Sequence, residues 1–162
     1  MKKEIILLLA AIFLIPAAHL WAQDKKPPKP DLEKTLVIQG NQDWLNTQIK
    51  LKPKDKVVIM AEGEVCFYNG DKDSCVDPDG WDRETYQDNW PNDYLQCDDP
   101  MMELNHCALI GNLGSDDFLI GKENSFGGKD GVLYIGINDC SFTGNCYNTG
   151  QFKVKILVYR KK

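Results

Sequence analysis

The clearest alternation of apolar and polar positions lies in residues 132–159, VLYIGINDCSFTGNCYNTGQFKVKILVY. Leu133, Ile135 and Ile137 share one face of the first run, and Phe152, Val154, Ile156 and Val158 share one face of the second, with Lys153 and Lys155 opposite. A period of two marks two half-buried strands. The same period recurs in TLVIQ from Thr35, in Thr47, Ile49 and Leu51 against Gln48 and Lys50, and in Val57, Ile59 and Ala61 within residues 56–65. Two shorter runs, ALIG at 108–111 and FLIG at 118–121, are separated by Asn112, Gly114 and Asp116 as a turn, and Gly127, Gly128 and Gly131 lead into the final pair. Past the first twenty-odd residues no segment keeps a 3.6-residue period for three turns. Seven or eight short, closely spaced strands predict an all-β chain folded as an antiparallel β-sandwich. Trp44, just ahead of the second strand, is expected to pack against its core.

The first residues follow a different pattern. Lys2 and Lys3 precede an unbroken apolar run over 5–15, then small residues, then a polar change at Gln23 and Asp24. This is the layout of a secretory signal peptide, and the run is too short for a membrane-spanning helix, which needs about 20 apolar residues. We place the signal peptide at 1–22, with Ala18 as an alternative cut. The proline- and charge-rich QDKKPPKPDLE that follows reads as a flexible leader over 23–34, and 35–162 as the sandwich domain. The expected location is secreted or periplasmic.

Charge and cysteines narrow the picture. Losing Lys2, Lys3 and Glu4 with the leader moves the formal balance of the 162-residue chain from -5 to -6. That argues against nucleic acid as a partner, because phosphate binding needs a basic patch. Cys66, Cys75, Cys97, Cys107, Cys140 and Cys146 all follow the leader, and an even count in an oxidising compartment points to disulfides. Their closeness in sequence suggests Cys66–Cys75, Cys97–Cys107 and Cys140–Cys146, with other connectivities left open. Zinc fits less well, since there is no Cys-x-x-Cys and His106 is the only histidine left after cleavage.

Residues 69–103 interleave acidic side chains with Trp81, Tyr86, Trp90 and Tyr94, and a strand of useful length does not fit among them. A loop of this length in a small domain is functional or disordered. Counted from Asp71 it lacks the EF-hand pattern, with Val76 where Gly is needed and Asp82 where a bidentate Glu is needed. Catalysis finds little support: no nucleophile elbow accompanies His106, and abundant carboxylates are not a positioned pair. We expect the protein not to be an enzyme.

The connection at 138–150 carries the side-chain oxygens of Asp139, Asn145 and Asn148 between two strands, a setting that suits a hard cation. Its bland reading is a hairpin whose Asn and Gly residues serve turn geometry. From Trp44 to Val158 the chain resembles the calcium-dependent galactophilic bacterial lectins of the PA-I type. The resemblance rests on DKVVIMAEG at 55–63, DPDG at 77–80, ALIG, FLIG, GVLYIGIND at 131–139 and NTGQF at 148–152, in that order and spacing. It implies a jelly-roll, galactose-binding-domain-like sandwich and a Ca2+ bridged by two sugar hydroxyls. By position, Asp139 matches the family's metal-binding Asp, Thr143 a carbonyl ligand and Asn148 the last Asn. An aromatic carbonyl ligand falls on Phe67 by count or Tyr68 by residue type. The chain departs from the pattern at Tyr147, where the family has Asn or Asp, and Asn145 is the candidate substitute. The family's His and Gln contacts to the outer sugar hydroxyl have no clear match, and Asn92 and Asp93 are the candidates there.

The expected function is therefore a secreted, lectin-like protein that binds carbohydrate, galactose-like or another glycan, through calcium, and a homo-oligomer is compatible with it. The alternative is a non-catalytic envelope or adhesive protein that binds a protein partner through the acidic, aromatic loop 69–103.

Overall fold

A computed structural model describes residues 28–67, 72–82, 99–139 and 148–161. Nine strands lie within them: β1 (Leu32–Gln39), β2 (Leu45–Leu51), β3 (Lys56–Cys66), β4 (Cys75–Val76), β5 (Leu109–Leu113), β6 (Asp116–Leu119), β7 (Glu123–Gly127), β8 (Gly131–Ile137) and β9 (Thr149–Tyr159). Every pairing is antiparallel. One sheet runs β1-β9-β3-β4, with β7 also on β3, and the other runs β2-β8-β5-β6. The expected antiparallel sandwich is the fold.

Alternation explains why the sheets face each other. Ile38, Val57, Ile59, Phe152, Val154, Ile156 and Val158 point inward from one sheet, and Ile49, Leu51, Leu109, Leu133, Ile135 and Ile137 from the other, all buried in one core cluster. Their removal from water is the main stabilising term for the two packed sheets. Lys153 and Lys155 take the opposite face of β9, where they meet Glu62 at 3.1 Å and Glu33 at 2.6 Å across the neighbouring strands. Such cross-strand pairs help fix register, and a slip of one residue would turn the apolar face of β9 to water.

Several elements differ from the sequence expectation. β1 begins at Leu32 rather than Thr35, within the segment read as leader. Asp31 ties that end down by donating its N–H to Val158 O at 2.9 Å and accepting from Arg160 N at 2.8 Å. β7 carries no apolar alternation, and its pairing comes from the edge of β3, which holds Glu123–Gly127 opposite residues 56–60. β6 ends at Leu119, and the turn before it centres on Gly114 and Ser115. Trp44 is not a core residue. Its ring lies on Gly136, where an added Cβ would sit 2.8 Å from it, and Gly136 has the opposite parity to the inward-facing Ile135 and Ile137. Trp44 therefore covers the outer face of its sheet.

The expected Cys66–Cys75 disulfide is present, joining the ends of β3 and β4 at opposed positions. The chain then turns at residues 77–80. Asp79 Oδ1 accepts the Lys122 N–H at 2.9 Å, and Lys122 Nζ reaches Asp77 at 2.7 Å and Asp79 at 2.9 Å. The backbone hydrogen bond from Lys122, then its ammonium, hold the Asp79 carboxyl below its ordinary value of 3.8. A depressed carboxyl stabilises the fold above the unfolded value, and that contribution is lost as pH falls through the folded one. Because the Asp79 side chain is 52% exposed, the charge contributes at most about 1 kcal/mol. Asp79→Asn keeps an acceptor but removes the charge. Urea unfolding of this variant should show a small loss at pH 7 that shrinks below pH ~4, and an undiminished gap at low pH would refute the assignment.

Candidate functional site

β8 and β9 belong to different sheets, so the connection between them is not a hairpin. Residues 138 and 139 therefore follow β8 in one sheet, and residue 148 precedes β9 in the other. Asn138 is fully buried. Its Nδ2 donates to Met101 O and Asn105 O, both at 3.0 Å, and its Oδ1 accepts from Met101 N at 2.9 Å. Its backbone donates to Ala108 O at 2.8 Å and accepts from Cys107 N at 2.7 Å. One carboxamide thus fastens the 101–108 segment to the end of β8.

Asp139 follows, 2% exposed, beside Asn148, 5% exposed. Asn148 Nδ2 donates to Asp139 Oδ2, and Cys107 Sγ lies 3.5 Å from the same oxygen. Asp139 Oδ1 faces His106 Nε2 at 3.9 Å. On the far side of the imidazole, His106 Nδ1 lies 3.2 Å from each oxygen of the buried Asp99. The histidine is set between two carboxylates.

Local backbone explains how it reaches that place. Cys107 adopts φ 58°, a left-handed turn, so the chain reverses between His106 and β5. Trp81 N donates to His106 O at 2.8 Å and His106 N to Trp81 O at 3.1 Å. Gly80, at φ 74°, packs so closely on this segment that a Cβ would meet Ala108 N at 2.6 Å and His106 O at 2.7 Å. Phe67, just past β3, packs edge-on against both rings, with centroids 5.0 Å from Trp81 and 5.1 Å from His106.

The structure brings together three of the residues expected from sequence: Asp139, Asn148 and Phe67, the last through its ring contact with His106. Thr143, Asn145 and Tyr147 lie outside the described residues, as do Asn92, Asp93, Tyr68, Cys97, Cys140 and Cys146. His106 and Asp99 are the residues that sequence reasoning missed. The one sequence signal for His106 is its being the sole histidine of the domain. As a set, a buried carboxylate, a carboxamide that offers an oxygen when its amide is turned, and an imidazole fit a divalent cation. His106, Cys107 and Asp139 place one ligand atom each within 4.8 Å of one another.

Neither a family model nor a curated protein matches the chain. Among solved structures, one described as the EclA N-terminal domain, a PllA-like lectin, superposes with a TM-score of 0.55. It covers 76% of this chain and 94% of that one at 19% identity. At that identity the likeness shows a shared fold, and the sandwich described above is lectin-like in architecture.

The Asn138 carboxamide generates a direct prediction. Asn138→Ala removes its three side-chain bonds; Met101 O and Asn105 O keep their backbone donors, Leu104 N and Ala108 N, so the part-buried Met101 N–H is the group that loses its partner, at about 1–3 kcal/mol. Denaturant unfolding should show a loss of about 1–3 kcal/mol; a loss below about 0.5 kcal/mol would mean that the 101–108 segment is held by other contacts.

Proposed function

We propose that this protein is a non-enzymatic, lectin-like carbohydrate-binding protein that engages sugar hydroxyls through a calcium ion held at Asp139 and Asn148. The observation that carries this reading is the buried Asp139 and Asn148 pair at the end of the sandwich, joined across the crossing between its two sheets. A buried carboxylate is costly unless its charge is compensated, and a cation is the compensation that a hard oxygen set suits best. The fold shared with a PllA-like lectin domain supports the carbohydrate half of the reading.

Each residue has a role that follows from its place. Asp139 supplies the formal charge, and Asn148 supplies a neutral oxygen once its amide is turned. Asn138 does not face the ligand but fixes the strand end that carries Asp139. Phe67 and Trp81 shield the His106 side of the site from water, which strengthens its electrostatic contacts. Bound calcium supplies a hard Lewis acid to which vicinal hydroxyls can coordinate. Among the residues read from the family pattern, Thr143 and Phe67 contribute carbonyl oxygens, Asn145 a further amide, and Tyr147, Asn92 and Asp93 contacts to the sugar. The signal peptide at 1–22 would deliver the protein to the periplasm or the exterior, where glycans are met.

Calorimetry of the mature protein against a glycan panel, with calcium and with chelator, tests this reading. Binding should require calcium and fall at least tenfold in Asp139→Asn, with the thermal midpoint of the variant checking that it folds. Chelator-indifferent binding, or full binding by Asp139→Asn, would contradict it. Retained capture of a protein partner through loop 69–103 by that variant would favour the adhesive reading instead.

A further inference from the structure

We propose that the site at Asp139 also takes a transition ion of the zinc class, for which His106 is the nitrogen ligand and Asp99 the positioning residue behind the imidazole. This rests on the cation reading of Asp139 but adds a nitrogen donor and a second metal class to it.

The geometry around the ring is the starting point. Asp99 meets Nδ1 with both oxygens at 3.2 Å, and in the tautomer that donates from Nδ1 the Nε2 lone pair is directed at Asp139. That lone pair faces Asp139 Oδ1 at 3.9 Å. The separation is too long for a hydrogen bond, yet two metal bonds of about 2.0–2.2 Å each bridge it with a small shift. A carboxylate behind a metal-binding histidine recurs in zinc sites, where it fixes the tautomer and raises the basicity of the ring.

Burial points the same way. The side chains of His106, Asp139 and Asp99 are 15%, 3% and 0% exposed, so the set is held by the fold rather than by solvent. Phe67 packs edge-on against the imidazole and is itself backed by the Trp81 ring, and the Trp81 bridge fixes the His106 backbone. Calcium gains little from an imidazole, whereas zinc, nickel and copper favour it. His106 therefore separates the two metal classes: oxygen donors alone serve calcium, and oxygen with Nε2 serves zinc.

The test uses the mature protein stripped of metal and titrated separately with Zn2+ alone and Ca2+ alone by calorimetry. The wild type should bind one Zn2+ per chain. His106→Gln, close to the imidazole in size and polar, should weaken zinc at least tenfold, with the thermal midpoint of the variant checking that it folds. Asp99→Asn should weaken zinc about tenfold. X-ray absorption at the zinc edge should show imidazole scattering in the wild type that is lost in His106→Gln, a signature a merely structural histidine would not give. No zinc bound by the wild type, or zinc affinity unchanged in His106→Gln, overturns the proposal. Calcium binding that survives Asp139→Asn would instead overturn the calcium reading, so the two failures are distinguishable.

Discussion

The geometry of the candidate site depends first on a buried carboxamide. Asn138 sits where β8 leaves its sheet, and its hydrogen bonds to Met101 and Asn105 hold a loop that the strand ladder does not reach. Because that loop carries Asp99, His106 and Cys107, Asn138 sets the strand end carrying Asp139 against the loop carrying the imidazole, and the backbone bridge between Trp81 and His106 holds the same loop. Buried amide networks of this kind are strong when every member is satisfied and damaging when one is lost.

Around that anchor the chain accepts an electrostatic burden that a purely structural sandwich would avoid. Two carboxylates, Asp99 and Asp139, are almost wholly buried on either side of one histidine. Elsewhere the design is conventional: aliphatic side chains fill the space between the sheets, and lysine and glutamate pair across the outer face of β9. Functional sites are where departures from the local rules of burial concentrate.

The core was legible because the two-residue period is dictated by the pleat, and Leu133, Ile135, Phe152 and Val154 obey it. β7 was not legible, since ENSFG owes its strand form to the edge of β3 and has no period of its own. Trp44 misled because its size suggested the core, while Gly136 offers a bare patch on the outer face that a ring can cover. Asp139 and Asn148 were found through their oxygens and their place in a family-like pattern. The crossing between sheets was not, because alternation describes each strand and says nothing of which sheet it joins. His106 and Asp99 reach Asp139 only through the 101–108 segment folding back on Asn138, a contact that neither spacing nor periodicity encodes.

The central claim is that a cation belongs between Asp139 and Asn148. A crystal structure of the mature protein grown with millimolar calcium, with anomalous data to identify the ion, tests it most directly. A calcium peak bounded by the Asp139 carboxylate and the Asn148 carboxamide oxygen is the expected result. A structure in which Asn148 still donates to Asp139, with no ion beside them at saturating calcium, would contradict it.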